Sequence, residues 1–243
     1  MPIPDWQLPP GVDRGLWDYL HADDMVRNYD EQMAASPLAA ADVRFCEGAF
    51  PTPGRLVDLG CGTGRLCVHF ARKGFECVGV DLSEEMLSKA KGNDAGLNIE
   101  WVKANLVELG EVPEASFNYA ACLFSTLGMV RGAENRAKVV ANAFRLLKPG
   151  GRFVLHVHNR RFAGLGWRQA LFGGGDIAMS QAYGGAPLTL HHFTLKEAKR
   201  LLKQAGFTVR DVQAIGVNGK PARGFWRVYG WLIACQKPDE PEA

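Results

Sequence analysis

The sequence predicts a doubly wound α/β fold, a mostly parallel sheet with helices on both faces. Two observations predict it. From Arg55 onward, short apolar runs alternate with longer segments whose apolar residues recur at helical spacing, the signature of right-handed βαβ units. The first of those runs, Leu56 to Leu59, then passes straight into glycines at 60, 62 and 64 before a helical segment begins. Glycines so spaced allow a tight turn whose backbone approaches a ligand closely, beside the unpaired N–H groups of a helix start. With 243 residues, 47% of them hydrophobic, the chain can bury one sizeable core.

Taken in order, prolines at 2, 4, 9 and 10 make the first dozen residues an extended arm. The segment "LWDYLHADDMVRNYDEQMAA" reads as one helical stretch, and Ser36-Pro37 starts a second helix of roughly 37–50 that ends at "PTPG". Residues 1–50 therefore form an N-terminal arm and helical cap, and residues 51–243 the sheet domain. Strands are expected in "RLVDLG", "FECVGVDLS", "NIEWVKANL", "FNYAACLFS" and "RFVLHVHN", with helices in "GRLCVHFARKG", "EEMLSKAKG" and "ENRAKVVANAFRLLKPGG". The character then changes. An insertion at about 160–193 holds a β-hairpin turning at Gly184-Gly185, "LKEAKRLLKQAG" is an amphipathic helix capped by Thr194, and "FTVRDVQAIG" and "FWRVYGWLIACQ" are two terminal strands.

The bulk properties exclude several classes. A net charge of +2 gives no broad basic field of the kind a dedicated nucleic-acid binder carries. The cysteines at 46, 61, 67, 77, 122 and 235 contain no C-x-x-C pair and sit inside elements, so they read as reduced core residues. The N-terminus lacks the basic and apolar regions of a secretion signal, and no run approaches the ~18 apolar residues of a membrane span. A cytoplasmic location without membrane contact is expected.

A glycine-rich turn alone also serves purely structural corners. The second observation is Asp81, which ends the run "VGVD" about 20 residues after the loop, where a carboxylate can accept hydrogen bonds from ribose hydroxyls. Asp81 could instead cap the helix that follows, although Ser83 is better placed for that. The glycines read G-x-G-x-G, not the G-x-G-x-x-G that seats a dinucleotide pyrophosphate. Here the chain resembles the class I S-adenosylmethionine-dependent methyltransferases, whose first motif has the form "VDLGCGTG". The resemblance extends through "GVDLSEEML", "EASFNYAACLFSTLGMV", "AFRLLKPGGRFVLHV" and "FTLKEAKRLLKQAGFTV", over roughly residues 25–236.

The resemblance implies a Rossmann-like, seven-stranded, mostly parallel sheet with an antiparallel last strand, and S-adenosyl-L-methionine as cofactor. It implies that Asp58, Gly60 and Gly62 lie against the methionine part, that Asp81 holds the ribose and that Leu82 packs on the adenine. Asn105 stands where the family often has an acidic residue on the adenine amino group; its amide oxygen can accept the same bond. Tyr29, from an aromatic cap over the site, and Cys61, Gly64, Met86, Leu106 and Leu123 complete the implied cofactor contacts. Asn118, also replacing a common acid, is read as structural.

Acceptor groups are expected beyond the carboxyl ends of the strands, from "FSTLGM", "HVHNRRF", the hairpin at 176–193 and "GVNGKPARGF". A hydroxyl acceptor needs a base to take its proton. His158, at a strand end, is the first candidate base and His192 the second; His156 shares the face of His158 but reads as core, while His191 and His192 point to opposite sides. No metal is expected, since no tight ligand spacing accompanies these histidines. Arg160, Arg161, Lys220 and Arg223, interleaved with Phe162, Trp167, Phe225 and Trp226, could bind a carboxylate, a phosphate or RNA at the mouth, or form a solvated rim. The expected reaction is transfer of a methyl group to an O or N atom of a small molecule. The alternatives are an RNA methyltransferase, an NAD(P)-dependent oxidoreductase and a catalytically silent cofactor-binding scaffold.

Overall fold

The structure, a computed structural model, describes residues 3–179, 188–224 and 226–239. Three N-terminal helices, α1 (Arg14–Leu20), α2 (Asp23–Ala35) and α3 (Pro37–Ala49), precede an alternating core. That core runs β1 (Arg55–Leu59), α4 (Arg65–Ala71), β2 (Glu76–Asp81), α5 (Glu84–Asn93), β3 (Glu100–Lys103), β4 (Phe117–Cys122), α6 (Thr126–Met129), α7 (Ala133–Leu146) and β5 (Leu147–His158). Then come α8 (Trp167–Phe172), β6 (Asp176–Met179), β7 (Leu188–His191), α9 (Leu195–Gln204), β8 (Thr208–Ile215) and β9 (Gly230–Gln236).

Seven strands form one sheet in the order β3-β2-β1-β4-β5-β9-β8. β1 to β5 pair in parallel, while β9 runs antiparallel to both of its neighbours, β5 and β8. The sheet is the doubly wound one expected, with the last strand the reversed one. Chain order reverses between β1 and β4, and ligand crevices of such sheets open beyond the carboxyl ends of the strands at that point.

The strands read as near-continuous apolar runs because both faces are covered. Val57 and Leu59 join Val139, Val140, Leu146 and Phe153 on one face, while Leu56 joins Leu66, Phe70, Leu87 and Val154 on the other, as a period of two requires. All six cysteines are buried and unpaired. Local signals act as read: Ser83 Oγ accepts from Met86 N at 3.2 Å to cap α5, and Thr194 with Glu197 forms a capping box on α9. Asn118 is structural, its Oδ1 accepting from Arg55 N at 3.0 Å.

The structure differs from the sequence reading in three places. The first dozen residues are not simply extended, since Asp5–Gln7 form a 3-10 turn. The stretch read as one helix breaks after Leu20, where Ala22 is extended at φ −81° and ψ 113°. The break lets α1 and α2 bend around α5: Ser83 Oγ donates to Leu20 O at 3.3 Å and Lys89 Nζ to Val26 O at 2.7 Å. The insertion also carries α8 ahead of its hairpin, which pairs Asp176 with His191 as a separate two-stranded sheet. Gly184-Gly185 lies outside the described residues.

Candidate cofactor cleft and acceptor side

β1 delivers the chain into a loop whose three glycines all have positive φ, +83° at Gly60, +55° at Gly62 and +83° at Gly64. Those values strain any residue with a Cβ. A Cβ on Gly60 would come within 2.3 Å of Thr126 Cγ2 and one on Gly64 within 2.3 Å of the Trp101 ring, whereas on Gly62 it would face Tyr29 at 3.3 Å. The loop is tied to the neighbouring strand end, since the amides of Gly60 and Cys61 donate to Val80 O at 2.8 and 3.0 Å. Asp81, the next residue, is thereby set directly beside the loop.

Asp81 is buried, and each of its oxygens holds a backbone amide: Gly62 N donates to Oδ2 at 2.8 Å and Ser83 N to Oδ1 at 3.0 Å. Burial raises its pKa while these amides oppose the rise. A carboxylate has about four lone-pair sites, so two backbone bonds fix its direction and leave capacity for ligand hydroxyls.

A cavity of about 100 Å³ opens on this carboxylate. It is lined by Tyr29, Gly60, Gly62, Asp81, Leu82, Met86, Asn105 and Leu106, all expected cofactor contacts. The remaining candidates lie behind it. Asp58 is buried under the loop, where loss of solvent pushes its pKa up to about 7 against the pull of Arg65. Cys61 and Leu123 pack in the core on the α4 side, and Gly64 sits against Trp101. Asn105 lines the cavity, but its Oδ1 accepts from Val107 N at 3.0 Å and its Nδ2 donates to Pro10 O at 2.8 Å, so its amide is oriented by the protein.

The sequence reading missed the opposite wall. Pro10, Gly11, Val12, Leu16, Tyr19 and Leu20 close the cavity from above, and Thr126, Met129 and Val130 close its side. The arm is held down by Arg131, which donates its backbone N–H to Gly11 O at 2.8 Å and pairs with Asp13 at 3.0 Å. The apolar spacing of Val12, Leu16, Tyr19 and Leu20 was the available signal.

The histidines form a separate group at the carboxyl ends of β5 and β7. His156 Nδ1 lies 2.7 Å from Asp42 Oδ1, with both side chains fully buried, and the other Asp42 oxygen is 3.3 Å from the Arg65 guanidinium. His158 has rings on every side: Tyr229 at 4.6 Å, His156 at 5.4 Å, His192 at 5.5 Å and Phe124 at 6.4 Å between centroids. Among the described residues neither of its nitrogens has a hydrogen-bond partner. Burial, then the neighbouring His156 and His192, push its pKa well below 6.5, so the ring is held neutral. His192 Nδ1 lies 3.3 Å from Leu190 O, and its pKa is also lowered, chiefly by burial. His191 points the other way, with Nδ1 2.7 Å from Asp176 and Nε2 2.8 Å from Glu197, fastening the hairpin to α9. Neither His158 nor His192 lines the cofactor cavity.

Between the two groups, Phe124 and Ser125 follow β4 with φ of +50° and +61°. Consecutive left-handed residues with side chains are costly and concentrate at functional sites. The Ser125 amide donates to His156 O at 3.2 Å, which joins the β4 exit to β5. Of the basic and aromatic rim, Phe162, Arg223 and Trp226 meet in one groove, Trp167 stands apart and exposed, and Lys220 lines a different groove beside α3. Phe225 lies outside the described residues.

A family model described as a methyltransferase domain matches residues 28–212, from within α2 to β8. The chain belongs to that family. The methyltransferase is 31% identical over 217 residues to the ubiquinone biosynthesis O-methyltransferase of Methylococcus capsulatus, covering 84% of this chain and 85% of that one. Several other curated relatives match over about half of their own length. In fold it is similar to a methyltransferase of Methanosarcina mazei, with TM-score 0.68 and 23% identity over 81% of this chain and 98% of that one. It is also similar to the 1,6-didemethyltoxoflavin-N1-methyltransferase of Burkholderia thailandensis, at TM-score 0.65 and 20% identity over 96% and 93%. The protein is a class I S-adenosylmethionine-dependent methyltransferase, which sets aside the oxidoreductase alternative. No helix among the described residues is long and apolar enough to cross a membrane.

Proposed function

We propose that this methyltransferase transfers a methyl group to an oxygen or nitrogen of a small molecule, with the cofactor in the cleft formed by Gly60, Gly62, Asp81, Leu82, Met86, Asn105, Leu106 and Tyr29. The observation that carries the cofactor assignment is Asp81, buried at the end of β2, lining the cavity and held in place by backbone amides on both of its oxygens. When bound, S-adenosylmethionine supplies a methyl group on a sulfonium, already a good leaving group, so alignment and exclusion of water carry most of the rate. The protein provides both: the glycine loop sets the depth of approach, and the arm at 10–20 covers the cleft. Asp58 lies in the segment that leads into the loop, with burial pushing its pKa up against the pull of Arg65.

His158 is the assigned base for a hydroxyl acceptor. It is neutral, its nitrogens have no hydrogen-bond partner among the described residues, and it stands at the carboxyl end of β5 next to the strained Phe124-Ser125 turn. His192, with one nitrogen near Leu190 O, is the second candidate. The near-neutral charge favours a small acceptor over RNA. Two relatives act, by their names, on small molecules: the ubiquinone biosynthesis O-methyltransferase and the didemethyltoxoflavin N1-methyltransferase. The test is incubation with methyl-labelled S-adenosylmethionine and a fractionated metabolite extract. Label recovered in a small molecule supports the reading; label only in the RNA fraction, or none above a Gly62→Val control, overturns it.

A further inference from the structure

Beyond His158, on the far side of Tyr229, the loop between β8 and β9 shapes a groove separate from the cofactor cleft. The loop between β8 and β9 folds back on itself: Ile215 bridges Pro221, and Tyr229 N donates to Ile215 O at 2.7 Å. Asn159 fastens that loop to the end of β5, accepting nothing from it but donating twice, through its backbone N–H to Tyr229 O at 2.7 Å and through Nδ2 to Val228 O at 2.8 Å. Its Oδ1 accepts from Arg161 N at 3.0 Å, turning the chain so that Phe162 comes edge-on to Tyr229 at 5.2 Å. Tyr229 then has Phe162 against its ring on one contact and His158 on another, at 4.6 Å.

A groove of about 580 Å³ lies on the Phe162 side of this wall. Its apolar lining is Phe162, Val217, Pro221, Ala222 and Trp226, and its charges are Arg223 and Arg227. Val217 and Trp226 are 56% and 43% exposed, an unusual cost for large apolar side chains beside a fixed turn. Arg223 and Arg227 are exposed, and neither pairs with a carboxylate among the described residues. Among the described residues no acid lines the groove. Two unneutralised guanidiniums beside aromatic faces fit one chemistry, a flat apolar body bearing a carboxylate or similar anion, since arginine binds planar anions through paired donors and aromatic rings stack on flat surfaces.

We propose that Phe162, Trp226, Arg223 and Arg227 form a binding site for a planar anionic ligand, bound with its charge at the arginines and its ring against Phe162, and separated from His158 by Tyr229. Arg223 and Arg227 hold the anion and take no part in proton transfer.

Calorimetry on the full chain tests this with three probes: 2-naphthoate, which is flat and anionic, 2-naphthamide, which is flat and neutral, and acetate, which is anionic alone. The expected result is saturable binding of naphthoate at one site, naphthamide at least tenfold weaker, and no binding of acetate. The double variant Arg223→Gln/Arg227→Gln should bring naphthoate down to the level of naphthamide while leaving melting temperature and S-adenosylmethionine affinity unchanged. Should the double variant lose stability, the single Arg227→Gln gives the same comparison at half the charge removed. Equal affinity for naphthoate and naphthamide, naphthoate binding that survives both substitutions, or no naphthoate binding by protein that binds S-adenosylmethionine would each overturn the site. Failure of labelled methyl transfer into any small molecule is a different result, which removes the reading of the previous section and leaves this affinity order standing or falling by itself.

Discussion

The two halves of the site, the cleft proposed for the cofactor and the histidine cluster proposed for the acceptor, are built from different materials. Around β1 and β2 the work is done by backbone: three glycines with positive φ, amides donating to Val80 O, and a carboxylate held by two amides. Around β5, β7 and the β8–β9 loop it is done by side chains from different elements, such as His156 on Asp42, His158 against Tyr229 and His191 between Asp176 and Glu197. A backbone site tolerates little change in the loop that makes it but leaves the rest of the chain free. A side-chain site can change its chemistry with every substitution, which is how one fold serves many acceptors.

The largest expected effect breaks the backbone half. Gly62→Val puts a branched side chain at φ +55° and 3.3 Å from the Tyr29 ring. It should abolish measurable S-adenosylmethionine binding in calorimetry and lower stability by about 1–3 kcal/mol through backbone strain. Normal binding by a folded Gly62→Val protein would place the cofactor elsewhere.

Next comes the side-chain half. His158→Ala should lower kcat for a hydroxyl acceptor by about 10²–10⁴-fold with cofactor affinity nearly intact. A base acts only when unprotonated, and burial pushes the pKa of His158 well below 6.5, so the acid limb of the native pH–rate profile should lie below that value. An unstable but fully active variant would return His158 to a packing role. The same shift acts on stability. A histidine whose folded pKa is depressed binds fewer protons folded than unfolded, so its contribution is present above about pH 6.5 and is lost as pH falls toward the folded value. Melting temperature should decline over that acidic window, and His158→Phe should flatten the decline; an unchanged slope would mean the ring is solvated.

The smallest effect concerns the cover that joins the halves. Arg131 pairs with Asp13 of the arm at 3.0 Å and lies 3.8 Å from Asp176 of the hairpin. These pairs are partly exposed and worth about 0.3–1 kcal/mol each. Arg131→Gln should therefore change melting temperature little and speed cofactor release a few-fold in stopped flow. An unchanged release rate would mean the arm does not gate the cleft.

The same contrast explains what could be read in the sequence. The sheet, the glycine loop, Asp81 and the Ser83 and Thr194 caps are local patterns, since residues near in sequence are near in space, and each was legible. The arm was half legible: Val12, Leu16, Tyr19 and Leu20 have helical spacing, but nothing local says that they roof a cavity below α5. The break after Leu20 depends on contacts to Ser83 and Lys89, more than 60 positions away. That Asp58, Cys61, Gly64 and Leu123 do not line this cavity was not legible, because a motif marks a stretch of chain, while only the fold decides which side of that stretch meets open space. Asp42, which organises His156, sits on α3 in a stretch that offered no motif at all.

The most direct test of the account is calorimetric titration of the native protein and Asp81→Ala with S-adenosylmethionine. The carboxylate would make charge-assisted bonds in a partly desolvated cleft, and its loss also frees the amides of Gly62 and Ser83. The account predicts one site in the native protein and a weakening of roughly 2–4 kcal/mol in the variant, with the variant still folded at the temperature of measurement. Equal affinity in the two proteins would contradict it.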